Sequence, residues 1–233
     1  MQIAIRQYFS LNHLAAASVM ARQCNEIEAV APNAANWPTS NQTNQACAIG
    51  ALISSVAFLE ATIIEVFSDC AEQTSAHGQA FPNAALLSSL WSQGVPRTAS
   101  YSVLEKYKIA LTLAGKHEIP SNANPSQNVD ALVYTRNSLT HFEPEFVRST
   151  DATEKAKLQT VHARLKGKFE LNRLAPKNSI FFPDRALGAG CATWAVGTAL
   201  AFTDCFFRLA GVPATYEHLR LEAPYSYFQV SRG

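Results

Sequence analysis

The sequence predicts an all-α helical bundle, and three observations carry that prediction. Apolar residues recur at spacings of three and four along several long stretches, and turn-forming residues separate those stretches. No series of alternating apolar and polar residues points to a sheet; YSYFQV (225–230) is the one strand-like run. Apolar residues make up 48% of the chain against 16% charged, which is enough for a sizeable core and too little charge for a disordered tail.

The elements follow in order. A first helix is expected over about Ser10–Ala29, with Ser10 as N-cap and Leu14, Met20 and Ile27 set among alanines. The stretch 31–44, APNAANWPTSNQTN, breaks it, because Asn, Pro and Thr favour turns. The second helix, Gln45–Glu72, is the clearest. Leu52, Val56, Leu59, Ile63, Val66 and Phe67 make it apolar on nearly all sides until Glu60, so it should be buried against several neighbours or a partner chain. A short helix follows at Ala84–Trp91, then one at Ser102–Ala114, with Gly115 as the residue that closes it. The fifth, Val129–Phe142, must end before Pro144. The sixth, Ala152–Leu171, is the most charged and reads as a solvated face. The last, Asp184–Leu209, is closed by Gly211 and Pro213, and Trp194 within it reads as core or dimer contact. Asp204 is expected to pair with Arg208 one turn on, and the tail from Thr215 to hold a short helix or strand. The 233 residues read as one domain. Its core spans about 45–211, with an additional N-terminal helix (10–29) packed on it, connecting helices, and a short C-terminal tail (214–233).

Charge and cysteines narrow the function. Lys plus Arg is 19 and Asp plus Glu is 18, so no overall field draws the chain to nucleic acid or an anionic membrane. Any polyanion must meet a local cluster. The one basic stripe is Lys155, Lys157, Arg164, Lys166 and Lys168 on the sixth helix. The five cysteines lie far apart in sequence, form no CxxC and suggest buried thiols in a reducing, cytoplasmic setting. Ala186–Thr203 is eighteen residues without a charge, the lower edge of a membrane span, but it is rich in Ala, Gly and Thr and reads as close helix packing in a soluble bundle. There is no GxxxxGK[ST], GxGxxG, HExxH, GxSxG or metal-ligand spacing, so no cofactor and no metal is expected. Gly188 and Gly190 lie inside the apolar pattern and argue against a phosphate loop there.

One segment stands apart: Arg136-Asn137-Ser138-Leu139-Thr140-His141, at the end of the fifth helix. Asn137 and His141 are four apart and share a face; Arg136 and Thr140 form the adjacent row. Arg136 starts roughly 140° from His141, and its long side chain is expected to curl toward the last turn. A histidine at the negative end of a helix, near Glu143 and Glu145, is suited to general acid–base work near neutrality. An arginine beside it offers a fork of donors matched to phosphate oxygens. Asn137 is placed to orient the imidazole or a phosphate.

This pattern resembles the RX4-6H motif of the HEPN superfamily, here read as R-N-S-L-T-H. The resemblance implies an α-helical bundle with the motif near the end of a late core helix, and an acidic residue on an earlier buried helix, a place that Glu60 in AFLEATIIEVF fits. It further implies a metal-independent endoribonuclease whose composite site forms in a homodimer, acting as a toxin or anti-phage effector under an antitoxin or other regulator. In that case Arg136, Asn137 and His141 are catalytic and Glu60 and Thr140 support them. The tyrosine found two places beyond the histidine in some members is Glu143 here, so nucleotide transfer onto the motif is not implied. A second reading stays open: a non-catalytic helical module that binds a partner or a nucleotide.

Overall fold

The computed structural model describes residues 6–30, 37–72, 75–97, 101–142 and 156–219, and among these the chain is all-helical with no strand. The core is built on three long helices: α1 (Phe9–Val30), α2 (Trp37–Glu72) and α8 (Ala189–Ala210). α1 and α2 run antiparallel. The Ser10 amide meets the Glu65 carboxylate at one end, and the Cys24 thiol meets the Asn44 carbonyl at the other. Between them Met20 packs on Gly50, where a Cβ would collide with the Met20 sulfur. α8 lies against both helices, and its inward side is mostly small or aromatic: Ala192, Ala195, Ala199, Phe202, Phe206 and Phe207 are buried, with Val196 and Leu200 among them. Tyr107, Phe202 and Phe206 meet edge to face with centroids 4.9–5.0 Å apart, tying α5 to α8.

The shorter helices wrap this core. They are α3 (Ala76–Ala80), α4 (Ala84–Ser92), α5 (Val103–Leu113), α6 (Ser126–Thr140) and α7 (Ala156–Leu165). α5 sits where local sequence demands. Ser102 accepts from the Glu105 amide at 3.3 Å while Glu105 accepts from the Ser102 amide at 2.6 Å, and Gly115 takes the left-handed conformation (φ 67°) that ends the helix.

Other boundaries differ from the sequence expectation, for tertiary reasons. α2 begins at Trp37, inside the stretch read as a loop. Asn44 is buried there and donates to Glu28 Oε1 at 2.8 Å and to Asn172 Oδ1 at 3.1 Å, so partners distant in sequence outweigh its turn preference. α7 stops at Leu165 instead of Leu171, because Gly167 turns the chain at φ 75°. The last helix starts at Ala189 rather than Asp184. Residues 181–187 form a wide turn, with the Ala186 amide bonded to the Phe181 carbonyl, and Phe182 is extended within it. Gly188 therefore lies outside the helix as its N-cap. A Cβ there would collide with Glu28 Oε1 and stand 2.7 Å from Asn172 Cβ. The Glu28 carboxylate, 5% exposed, accepts from the Ala189 amide at 2.7 Å and fills the position a phosphate would take. α1 is thus part of the one core rather than a layer added to it. Among the described residues the tail holds one short turn, Glu217–Leu219; YSYFQV lies outside them.

Asp204 accepts from the Tyr216 hydroxyl at 2.7 Å, and the Arg208 guanidinium reaches Cys205 Sγ at 3.4 Å. All five cysteines are free. The described helix long and apolar enough to cross a membrane is Asn41–Glu72 of α2, not the segment 186–203, and half of its apolar window is buried inside the bundle, as befits a central core helix.

Candidate functional site

The RNSLTH segment closes α6. Val129, Leu132 and Thr135 are buried and hold the helix on the core. At the C-terminus the chain leaves the helix at His141 (φ −116°, ψ 39°), whose amide still donates to the Asn137 carbonyl at 3.0 Å. Thr140 Oγ1 donates to the Arg136 carbonyl at 3.0 Å and lies 3.3 Å from that of Asn137. The Thr140 hydroxyl therefore closes the helix end. Ser138 bonds its own helix in the same way, to the Tyr134 carbonyl at 3.0 Å.

Arg136 does not curl toward His141. It turns across to α2, where its Nη2 is ion-paired with Glu60 Oε1. The physical reason is direct: a carboxylate on the neighbouring helix attracts a guanidinium more strongly than the edge of an imidazole does. Arg136 is mostly covered, with 21% of its side chain exposed, whereas Glu60 is 48% exposed, and the buried Arg136 Nε has no acceptor among the described residues. Asn137 and His141 are exposed on a different face of α6. The structure thus brings Glu60 to Arg136 and leaves Asn137 beside His141. Within one copy the two pairs are adjacent but do not converge.

Along that second face runs a longer row: Gln127, Asp130, Tyr134, Asn137 and His141, spaced three, four, three and four apart. α7 lies against its middle. The Arg164 guanidinium sits 4.3 Å from the Tyr134 ring centre and is ion-paired with Asp130. α7 is accordingly more than a solvated face. Val161 and Leu165 are buried, and His162 stacks on Phe181 with ring centres 4.1 Å apart. Phe169 packs on Trp194 at 5.4 Å.

At the other end of the row a cleft of about 960 Å³ opens between α5, the segment 118–122, the start of α6 and the end of α7. It takes in Arg164, Lys166 and Lys168 of the basic stripe, together with Lys108 and Glu118, which are paired at 3.1 Å. Lys155 and Lys157 of that stripe carry no described side chain. Sequence reasoning marked the α7 cations but missed the cleft, because its opposite wall comes from residues some 40–60 positions earlier in the chain. Among the described residues no group of three or more His, Cys, Asp or Glu side chains is arranged to hold a metal ion.

Comparison with known proteins adds no relative: no protein-family profile, no curated protein and no solved structure matches the chain.

Proposed function

We propose that this protein is a metal-independent endoribonuclease of the HEPN type, active as a homodimer. The observation that carries the proposal is the end of α6. His141 is exposed there at a helix terminus, Asn137 lies one turn before it on the same face, and the preceding Arg136 is anchored by Glu60 of α2. In this reading the RNA 2′-hydroxyl attacks the adjacent phosphorus, forming a 2′,3′-cyclic phosphate and releasing a 5′-hydroxyl. His141 takes or gives the proton, Asn137 orients it, and Arg136 balances charge on the phosphoryl oxygens. Since Arg136 and His141 of one copy point apart, a second copy supplies the missing half of the site. The protein would work in the cytoplasm as a toxin or defence effector, held in check by an antitoxin or other regulator. DNA, which lacks the nucleophile, is not a substrate.

A second reading rests on the Glu60–Arg136 pair itself. An arginine already neutralised by its own chain suits a non-catalytic module that docks a partner. Incubation of purified protein with total RNA in EDTA, beside His141→Ala, separates the two. The nuclease predicts cleavage by the parent protein alone, with cyclic-phosphate ends and a loss of at least about 100-fold in the variant. Equal cleavage by both would remove His141 from the site, and no cleavage by either favours the module.

A further inference from the structure

The cleft between α5 and α7 plays no part in the reaction just described. We infer that it is a nucleotide-binding site, which takes the phosphate of a phosphorylated nucleoside on Lys166 and Lys168 and seats the base against the apolar wall of Leu104, Leu111, Ile119 and Phe202.

The charges around the cleft define the ligand's sign. Three carboxylates line it, and each already has a partner. Glu118 holds Lys108 at 3.1 Å, Asp130 holds Arg164, and Glu105 accepts from the Ser102 amide at 2.6 Å in the α5 cap. Lys168 Nζ reaches a neutral oxygen, Asn128 Oδ1, at 2.6 Å, and the exposed Lys166 has no carboxylate partner among the described residues. Two ammonium groups thus remain uncompensated at one rim, in a chain whose net charge is only +1. Their placement follows from the chain. Gly167 between them adopts φ 75°, and the Lys168 amide bonds back to the Leu165 carbonyl at 3.1 Å, so both lysines flank one tight turn. Compact ammonium charges in a pair suit a phosphate.

The rest of the cleft defines the ligand's body. Its volume, about 960 Å³, falls within the ~300–1,000 Å³ of small-molecule sites. Part of the lining is apolar, with Leu104 and Ile119 over the buried Leu111 and Phe202, and fit for the face of a base. The lining also has a polar rim of hydroxyls and amides at Ser121, Asn122, Ser126 and Gln127, donors and acceptors of the kind that read ribose and base edges. A lipid anion would leave that polar rim unpaired. The nucleotide has two sources, free in solution or within an RNA strand. The α6 row from Gln127 to His141 extends ~21 Å, so a strand held here by one nucleotide could run toward the RNSLTH end.

The test is equilibrium binding to the purified full-length protein. The probes are the four 5′-mononucleotides, adenosine, inorganic phosphate, and a short single-stranded 2′-O-methyl oligonucleotide that cannot be cut. The expected result is saturable binding of a mononucleotide that exceeds that of adenosine or phosphate. K166Q/K168Q should weaken it by roughly tenfold or more without lowering Tm, and Ile119→Glu, at the base wall, should weaken it as well. Tighter oligonucleotide binding, lost in the same variants, assigns the site to a nucleotide within RNA; weaker oligonucleotide binding assigns it to the free nucleotide. The inference is overturned if nothing in the panel binds saturably, or if a folded K166Q/K168Q variant binds as the parent does. Cleavage is not read in any arm, so this site and the nuclease stand or fall separately.

Discussion

Glu60 and Arg136 meet across α2 and α6, and the worth of that contact depends on what it is asked to do. Glu60 is nearly half exposed, so as a stabilising ion pair it contributes little, on the order of 1 kcal/mol or less. As a positioning contact it matters more, because it fixes a guanidinium that otherwise samples many rotamers. Under the proposed nuclease reading, Glu60→Gln is therefore expected to leave urea stability within about 1 kcal/mol of the parent while lowering the kcat of that proposed cleavage by roughly tenfold with KM unchanged. A stability loss several times larger, with kcat intact, would make the pair structural. The resemblance singled out both residues. Their pairing was not legible in the sequence, since nothing in a linear pattern says which way an arginine turns when two faces offer it partners. Asn137 and His141 needed only the helical period to be placed together, and they share a face as expected.

At the scale of the element, legibility tracks the distance to the deciding contact. α5 was readable nearly to the residue, as Ser102–Ala114 closed by Gly115, because the contacts that set its ends are local: Ser102 with Glu105 at one end and Gly115 at the other. The starts of α2 and α8 were misplaced because each is decided by a side chain elsewhere: Asn172 and Glu28 for α2, Glu28 again for α8. The start of α1 is built the same way. Glu65 of α2 accepts from the Ser10 amide at 2.9 Å and from its hydroxyl, while Arg6 and Tyr8 converge on Asp69 one turn further along. Burial raises the Glu65 carboxyl above its ordinary range despite the Ser10 bonds, and burial raises Asp69 despite the facing Arg6 guanidinium. A carboxyl whose folded pKa is raised binds its proton more tightly when folded. Stability therefore falls as pH climbs from the ordinary carboxylate range through the raised folded value. Glu65→Gln keeps an acceptor for the Ser10 amide and removes the titration. Denaturation across pH 4–7 should show a shallower decline in the variant than in the parent; equal slopes would assign the decline to other groups.

For the whole molecule, the cysteines give a probe that needs no knowledge of function. Cys24, Cys70 and Cys191 are buried in the α1–α2–α8 core, while Cys47 and Cys205 are partly exposed. Burial pushes the Cys24 and Cys191 thiols far up and Cys70 up to about 12, which suppresses the reactive thiolate. A thiol reagent at neutral pH should modify at most two cysteines rapidly in the native protein and all five in denaturant. Rapid modification of a third would show that the core opens on the timescale of the reagent. The all-α class was legible from periodicity alone. The cleft was not, because a cavity is a property of how helices far apart in sequence come to rest.

The Glu28 carboxylate that opens α8 has a consequence for how the chain is made. The acceptor lies 161 residues before the amide it satisfies, so the last long helix to leave the ribosome finds its start already prepared by the first. Until then Glu28 is held by Asn44 of α2, which donates to the same carboxylate oxygen at 2.8 Å. Once α8 arrives, the first and last of the long helices close on each other. Residues 9–30 thus act as a template for the start of α8, and a truncation that removes them is felt most there.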